Sequence, residues 1–357
     1  MLIGYSPAKL NLLLKILGKR ADNYHNLVTL YQLLSWGDTI KLHPSSSKTR
    51  LSVTGPYAHQ VPQRDNLEDN LLWRAWNLMA KDLSILGEKF NVELHKNIPV
   101  GSGLGGGSSN AATLMRMLRL LWAPDMPLDK LANLGASLGA DIPLFIHGWS
   151  SQAHGTGEKL LPRCLTRYYY LVFCPHVHSS TAELFATLAQ DREAQSKQGQ
   201  DIAADYAELE AEIATNISHD NNAWLKLADG NDFLSYVIAK YPKLNQLRDL
   251  LHSLTPGKLG DQIFLSGTGS SMFAVYADKD KATEAQQSIL NSCGEQASLL
   301  DGLPSTVPFA STDVPKITSK SASKLGAKDE ESDKHNDSGC IQFAIFLSAG
   351  IFCNAAS

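Results

Sequence analysis

The sequence predicts an α+β fold in two lobes, followed by a tail without regular structure. Three observations lead there. The chain has 357 residues, 43% of them hydrophobic, which at about 150 residues per domain is enough for two cored domains and some surplus. Strand-like and helix-like stretches mix without a regular strand–helix–strand rhythm, which disfavours a doubly wound parallel sheet. After about residue 300 the character changes, and residues 311–339 are rich in Ser, Lys, Asp and Thr with no periodicity, the composition of a disordered segment. The expected boundaries are 1–150 and 151–298 for the lobes and 299–357 for the tail.

The elements follow in order. Residues 2–17 are apolar and β-capable, interrupted by Pro7. Residues 27–35 and 38–43 alternate as two strands, 44–50 form a Ser/Lys-rich turn, and a short strand follows near 51–54. Leu71, Leu72, Ala75, Trp76, Leu78 and Met79 recur at helical spacing within 69–82. Residues 89–95 alternate as a strand that Pro99 ends. GSGLGGGSS at 101–109 leads into an apolar helix at 111–122, and a second helix fits 128–139. The compact ADIPLFIHG follows at 140–148, then a strand at 167–174. Residues 181–215 and 233–252 read as helical, 262–276 as strand–turn–strand around SGTGSS, and 279–293 as a last helix.

Composition narrows the function classes. Formal net charge is −4, which argues against general nucleic-acid binding. Residues 1–50 hold seven Lys/Arg against two Asp, a basic end that is either a solvated surface or suited to a phosphorylated ligand. Five cysteines without CxxC or metal spacing suggest free thiols in a reducing compartment. The N-terminus shows no targeting pattern. The longest apolar run, 340–353, falls short of the ~18–20 residues that span a bilayer; an anchor or a partner strand are the two special roles open to it.

The glycine-rich loop carries the most information. Gly101, Gly103, Gly105, Gly106 and Gly107 fall within seven residues. Glycine is costly to order, and a tight turn needs one or two, so this density points to backbone approaching a ligand closely. A strand-to-helix loop aims successive N–H groups and the positive helix end at an anion, and Ser108 and Ser109 add hydroxyls at the cap. The loop formally fits GxGxxG, but no strand precedes Asp125, so the dinucleotide fingerprint fails. No Lys follows the glycines, so the Walker pattern fails too.

Phosphoryl transfer to an alcohol also needs alignment and help in removing the hydroxyl proton. Asp141 stands among apolar neighbours in GADIPLF, where a carboxylate is costly unless paired; it is either a proton acceptor or a helix-terminating residue bonded to local backbone. Lys9 interrupts the apolar strand SPAKLNLLL, either as an edge residue or as the partner that keeps Asp141 ionised. Sequence alone does not show that they meet.

Together, SPAKLNL (6–12), GKRADNYHNLVTLYQ (18–32), DNLLWRA (69–75), IPVGSGLGGGSSNAAT (98–113), LGADIPLFIHG (138–148) and SGTGSS (266–271) resemble the GHMP kinase superfamily over nearly all of residues 1–295. GKRADxYH beside PAKLNL is similar to the branch whose substrate is a cytidine-diphosphate alcohol. The resemblance implies a two-lobed GHMP kinase fold with its active site in the inter-lobe cleft, the ATP loop in the first lobe and substrate contacts completed by the second. It implies ATP-dependent phosphorylation of the 2-hydroxyl of a methylerythritol unit, in the non-mevalonate route to isoprenoid precursors. The alternatives are a homoserine- or mevalonate-type GHMP kinase and a non-catalytic nucleotide-binding relative.

The resemblance also implies roles. Asp141 is the general base with Lys9 beside it. Pro99, Val100, Gly101, Ser102, Gly103, Leu104, Gly105, Gly106, Gly107, Ser108 and Ser109 hold ATP. Asn11 orients the polyol, Tyr24 stacks on cytosine and His25 bonds its edge. Phe185 is the second stacking aromatic with Thr181 nearby, and Lys96 meets nucleotide or substrate. Mg²⁺ is expected with ATP, with no identifiable carboxylate pair as its ligands; no nucleic-acid or membrane partner is expected, and the location is cytoplasmic. Position 23 is Asn where the family commonly has Gly, and position 110 is Asn where an acid is common. The family's final strand finds only a poor match at 295–310.

Overall fold

The structure, a computed structural model, describes residues 1–19, 25–46, 48–62, 68–175, 177, 179–197, 211, 222–226, 230–260, 262–293 and 343–347. Strand β1 (Leu2–Lys19) and strand β2 (His25–Pro44) are antiparallel along most of their length. Where the sequence suggests two strands, β2 is one of 20 residues. It stays continuous past Trp36 because Gly37 lets β1 approach: a Cβ there would lie 2.2 Å from the Ser6 carbonyl oxygen. The other edge of β2 takes β4 (Phe90–His95) at Thr39–Pro44 and β5 (Ser151–His154) at Thr29–Tyr31. β3 (Arg50–Thr54) runs parallel to β4, and β6 (Lys159–Pro162) pairs with β5. The β5–β6 hairpin is absent from the sequence reading, and it carries the first sheet past residue 150 to Pro162.

One face of this sheet packs against α1 (Leu71–Asp82), α2 (Gly106–Trp122), α3 (Leu128–Ala136) and α4 (Ile142–His147). Asn70 caps α1, its side-chain oxygen accepting from the Leu72 N–H at 2.9 Å, as expected for a residue that satisfies an orphan donor. The second lobe holds a sheet in the order β10–β7–β9–β8, built from β7 (Tyr169–Phe173), β8 (Phe264–Leu265), β9 (Met272–Tyr276) and β10 (Phe343–Leu347). Its helices are α5 (Thr181–Lys197), α6 (Leu234–Lys240), α7 (Pro242–Leu254) and α8 (Lys279–Cys293). Pro242 splits the stretch read as one helix at 233–252, since a proline is tolerated in a first turn but not in a helix interior.

Two findings change the reading of the C-terminus and the cysteines. Residues 343–347 are an edge strand antiparallel to β7, so the tail is not uniformly irregular; residues 299–342 and 348–357 lie outside the described residues. Cys174 is a free, buried thiol, but Cys164 is disulfide-bonded, against the expectation of free thiols.

A third core cluster joins the lobes. Leu10, Leu12 and Leu13 of β1 pack with Tyr170 and Val172 of β7 and Phe273 and Val275 of β9. Ile98 and Leu104 belong to the same cluster, so the glycine-rich loop is pinned to the seam between the sheets.

Candidate active site

The loop is shaped by where it is pinned. Leu104 is fully buried, and its carbonyl accepts from the Lys9 N–H at 3.0 Å. Leu104, given a ligand role above, is therefore the anchor beneath the loop. Gly103 (φ 81°) and Gly105 (φ 71°) are left-handed, the region that favours glycine. A Cβ on Gly103 would lie 2.4 Å from the Ser266 carbonyl oxygen, and one on Gly105 would meet Phe145 at 2.9 Å and Lys9 at 3.0 Å. Gly105 is the N-cap of α2, which starts at Gly106, five residues earlier than the sequence suggested. Ser109 N–H makes its helical bond to the Gly105 carbonyl at 2.9 Å. The N–H groups of Gly106, Gly107 and Ser108 are thus first-turn donors without intrahelical acceptors. Gly107 is exposed and Ser108 half-buried at this rim, whereas Ser109 is fully buried.

SGTGSS is the turn that braces the loop. Ser271 N–H donates to the Ser102 carbonyl at 3.1 Å, and Ser266 Oγ donates to the Gly103 carbonyl at 3.2 Å. Ser266 Oγ also accepts from the Asn11 N–H at 3.3 Å, and the Thr268 and Thr181 hydroxyls share a 2.8 Å hydrogen bond. Gly103→Ala is expected to cost about 1–3 kcal/mol for the backbone conformation alone, and the clash with Ser266 adds to it. Denaturant unfolding with the KM for ATP checks this; a variant of unchanged stability and KM contradicts the bracing role.

Asp141 and Lys9 meet. Lys9 Nζ lies 3.6 Å from Asp141 Oδ2, and the lysine, although on a strand, is 4% exposed. Asp141 is the N-cap of α4 but makes no side-chain cap bond, so it is not the locally bonded helix terminator. Its Oδ1 accepts from the Tyr31 hydroxyl at 3.0 Å. Lys9 donates to Asn11 Oδ1, and Asn11 Nδ2 donates to Thr29 Oγ1 at 2.7 Å. Position 139, two residues before the carboxylate, lies beside the rim: a Cβ on Gly139 would be 3.7 Å from Ser108 Oγ. Tyr31 and Thr29 escaped the sequence reading, although both stand inside the GKRADNYHNLVTLYQ segment.

Lys96 lies beneath the start of α2 with its side chain turned inward. It is 1% exposed and paired with Asp38, itself fully buried. Asp38 Oδ1 accepts from the Asn97 and Ile98 N–H groups at 2.6 and 2.8 Å, and its Oδ2 from Asn110 Nδ2 at 2.9 Å. Burial pulls the Lys96 ammonium below its ordinary range, and Asp38 opposes that shift. A Cβ on Gly106 would lie 2.8 Å from Lys96 Nζ, so this pair underlies the helix start; desolvation and a ready partner explain why it turns inward.

At the far end of β2, His25 and Phe185 of α5 are neighbours, with ring centroids 5.2 Å apart, and Phe185 packs edge-on against Phe233 at 4.8 Å. Tyr24 lies outside the described residues. Pro99, Val100, Gly101 and Ser102 line a cavity of about 250 Å³ with Tyr57, Gln60, Cys174 and Pro175.

The family model described as GHMP kinases N terminal domain matches residues 70–149, and that described as GHMP kinases C terminal matches residues 209–296. Fold and site define a GHMP-type small-molecule kinase. A curated 4-diphosphocytidyl-2-C-methyl-D-erythritol kinase from Burkholderia lata is 34% identical over 281 residues, 79% of this chain and 87% of the relative. One from Tolumonas auensis is 36% identical over 282 residues, 78% and 86% of the two chains. A solved structure of a 4-(cytidine 5'-diphospho)-2C-methyl-D-erythritol kinase superposes with a TM-score of 0.60 at 28% identity, covering 80% of this chain and 94% of that one. The chain belongs to the 4-diphosphocytidyl-2-C-methyl-D-erythritol kinase family of GHMP kinases.

Proposed function

We propose that the protein transfers the γ-phosphoryl group of ATP to the 2-hydroxyl of 4-diphosphocytidyl-2-C-methyl-D-erythritol, giving the 2-phosphate and ADP in the methylerythritol phosphate route to isoprenoid precursors. The observation that carries it is the Asp141–Lys9 pair beside the free donors of α2. The triphosphate lies on the N–H groups of Gly106, Gly107 and Ser108, with its nucleoside toward the cavity at Pro99–Ser102. The acceptor hydroxyl gives its proton to Asp141 as its oxygen attacks the γ-phosphorus, and the bond to the bridging oxygen breaks to release ADP. Lys9 faces the charge that develops. Mg²⁺ bound with ATP would neutralise phosphate charge. Among the described residues no group of three or more His, Cys, Asp or Glu is placed to hold a metal. Ser108 is a half-buried hydroxyl at the rim, and the triphosphate and water would supply the rest of the ion's ligands.

Substrate choice is read from the distance between the two ends of the site. His25 and Tyr31 are six residues apart on β2, about 20 Å at ~3.3 Å per residue. A substrate reaching from the His25–Phe185 pair to Asp141 is an extended nucleotide-linked alcohol, not a compact one such as homoserine or mevalonate. Cytosine stacks on Phe185, Asn11 and Thr181 line the path between, and Tyr24 is proposed as the second stacking ring. The lobes proposed are 1–150 for ATP and 151–298 for substrate, with the β5–β6 hairpin lent to the first sheet. Among the described residues no helix is long and apolar enough to cross a membrane; action in the cytoplasm, on a small-molecule partner, is proposed.

A substrate panel tests the reading. ADP release is expected with the cytidine-diphosphate alcohol and not with homoserine or mevalonate; the reverse preference contradicts it. Phe185→Ala is expected to raise the KM for the cytidine substrate about 5- to 100-fold, the worth of one stacked base, while leaving the KM for ATP unchanged.

A further inference from the structure

We propose that Tyr31 is the positioning residue of this site, a single side chain that fixes the Asp141 carboxylate through its hydroxyl and steadies Lys9 through its ring. The inference rests on the kinase reading above and adds a residue to it.

Asp141 begins α4 yet takes no bond from the backbone of that helix, so its orientation must come from elsewhere. Lys9 does not supply it. At 3.6 Å from Oδ2 its ammonium is beyond hydrogen-bond distance, and it donates to Asn11 instead. The Tyr31 hydroxyl does supply it, donating to Oδ1 at 3.0 Å. Tyr31 is 4% exposed and stands opposite Asn11 in the β1–β2 register, so the backbone ladder fixes it. The Lys9 ammonium lies 5.4 Å from the centre of its ring, within reach of a cation–π contact. Gly157 leaves room for the hydroxyl, since a Cβ there would stand 3.3 Å from it.

Two consequences follow for the chemistry. With Oδ1 engaged, Oδ2 on the Lys9 side is the oxygen that takes the proton. Burial first, and then the charge of Asp141 and the bond to it, push the Tyr31 phenol well above its ordinary range, with Asn11 opposing. The phenol therefore stays protonated and remains a donor. Among the described residues, Lys9 from β1 and Tyr31 from β2 are the titratable groups that meet the carboxylate.

The test is the kcat of Tyr31→Phe, which keeps the ring and removes the donor, measured in the wild-type and in the Asp141→Asn backgrounds. In the wild-type background kcat is expected to fall about 10-fold, with both KM values within about 2-fold. In the Asp141→Asn background the same substitution is expected to change kcat by less than about 2-fold, because residues that act through one another are not additive. 3-Fluorotyrosine at position 31, which keeps the donor, is expected to restore kcat. A merely structural tyrosine would lower kcat equally in both backgrounds. An active wild type in which Tyr31→Phe leaves kcat unchanged, or lowers it equally in both backgrounds, overturns the role of Tyr31 and leaves the kinase reading standing. A wild type that fails to phosphorylate the cytidine substrate overturns both.

Discussion

Asp141→Asn is expected to lower kcat for phosphoryl transfer by about 10²- to 10⁴-fold, the usual contribution of a positioned general base. The amide keeps the size and the contact with Tyr31 but cannot accept the substrate proton. The KM for ATP should change little, because the proposed seat of the triphosphate is the set of main-chain donors that opens α2. Stability should also change little: the carboxylate is part-exposed, with a side-chain exposure of 28%, and makes no cap bond that the variant would lose. Steady-state kinetics with unfolding curves separate the outcomes. Normal turnover by a folded variant would reject the base.

The largest effect on stability is expected at the buried pair beneath the loop. Lys96→Met leaves the fully buried Asp38 carboxyl without its cationic partner, and removing one partner of such a pair costs about 3–5 kcal/mol. Three other donors still converge on Asp38: the Asn97 and Ile98 N–H groups and Asn110 Nδ2. They hold the carboxylate in place and so prevent its escape to water. Asn110 belongs to α2 and Ile98 to the strand side of the loop, so the variant should also raise the KM for ATP. Denaturant unfolding at several protein concentrations measures the first effect. A loss below about 1 kcal/mol would show that water reaches Asp38, and that the pair does not support the phosphate site.

Much of this was legible in the sequence because it is written locally. Five glycines in seven residues mark a loop whatever surrounds it, and the period of Leu72, Ala75, Trp76 and Met79 marks α1 by itself. What was lost depended on direction across strands. Tyr31 and Thr29 sit in an apolar run, VTLYQLL, whose both faces are buried, so alternation gave no sign of which side chain meets α4. Lys96 looked like a ligand because it precedes the loop, but its partner Asp38 is 58 residues away in sequence. Leu104 looked like part of the rim for the same reason, although an apolar side chain among glycines is the natural pin. The start of α2 was misplaced because glycine is a poor helix former, whereas here its small size lets Lys96, Ile98 and Phe145 pack against the first turn. The β5–β6 hairpin was missed because its short strands carry few apolar signals, whereas the apolar run that holds β10 left a strand open as one of its two special roles.

The central claim is a juxtaposition, with phosphate donors and proton acceptor on opposite sides of one transferring group. A crystal structure with a non-hydrolysable ATP analogue and 4-diphosphocytidyl-2-C-methyl-D-erythritol bound together measures it directly. The expected result places the γ-phosphate on the N–H groups of Gly106, Gly107 and Ser108, and the 2-hydroxyl about 2.6–3.2 Å from Asp141 Oδ2 or one water away. A γ-phosphate seated elsewhere, or a 2-hydroxyl turned away from Asp141, would contradict it.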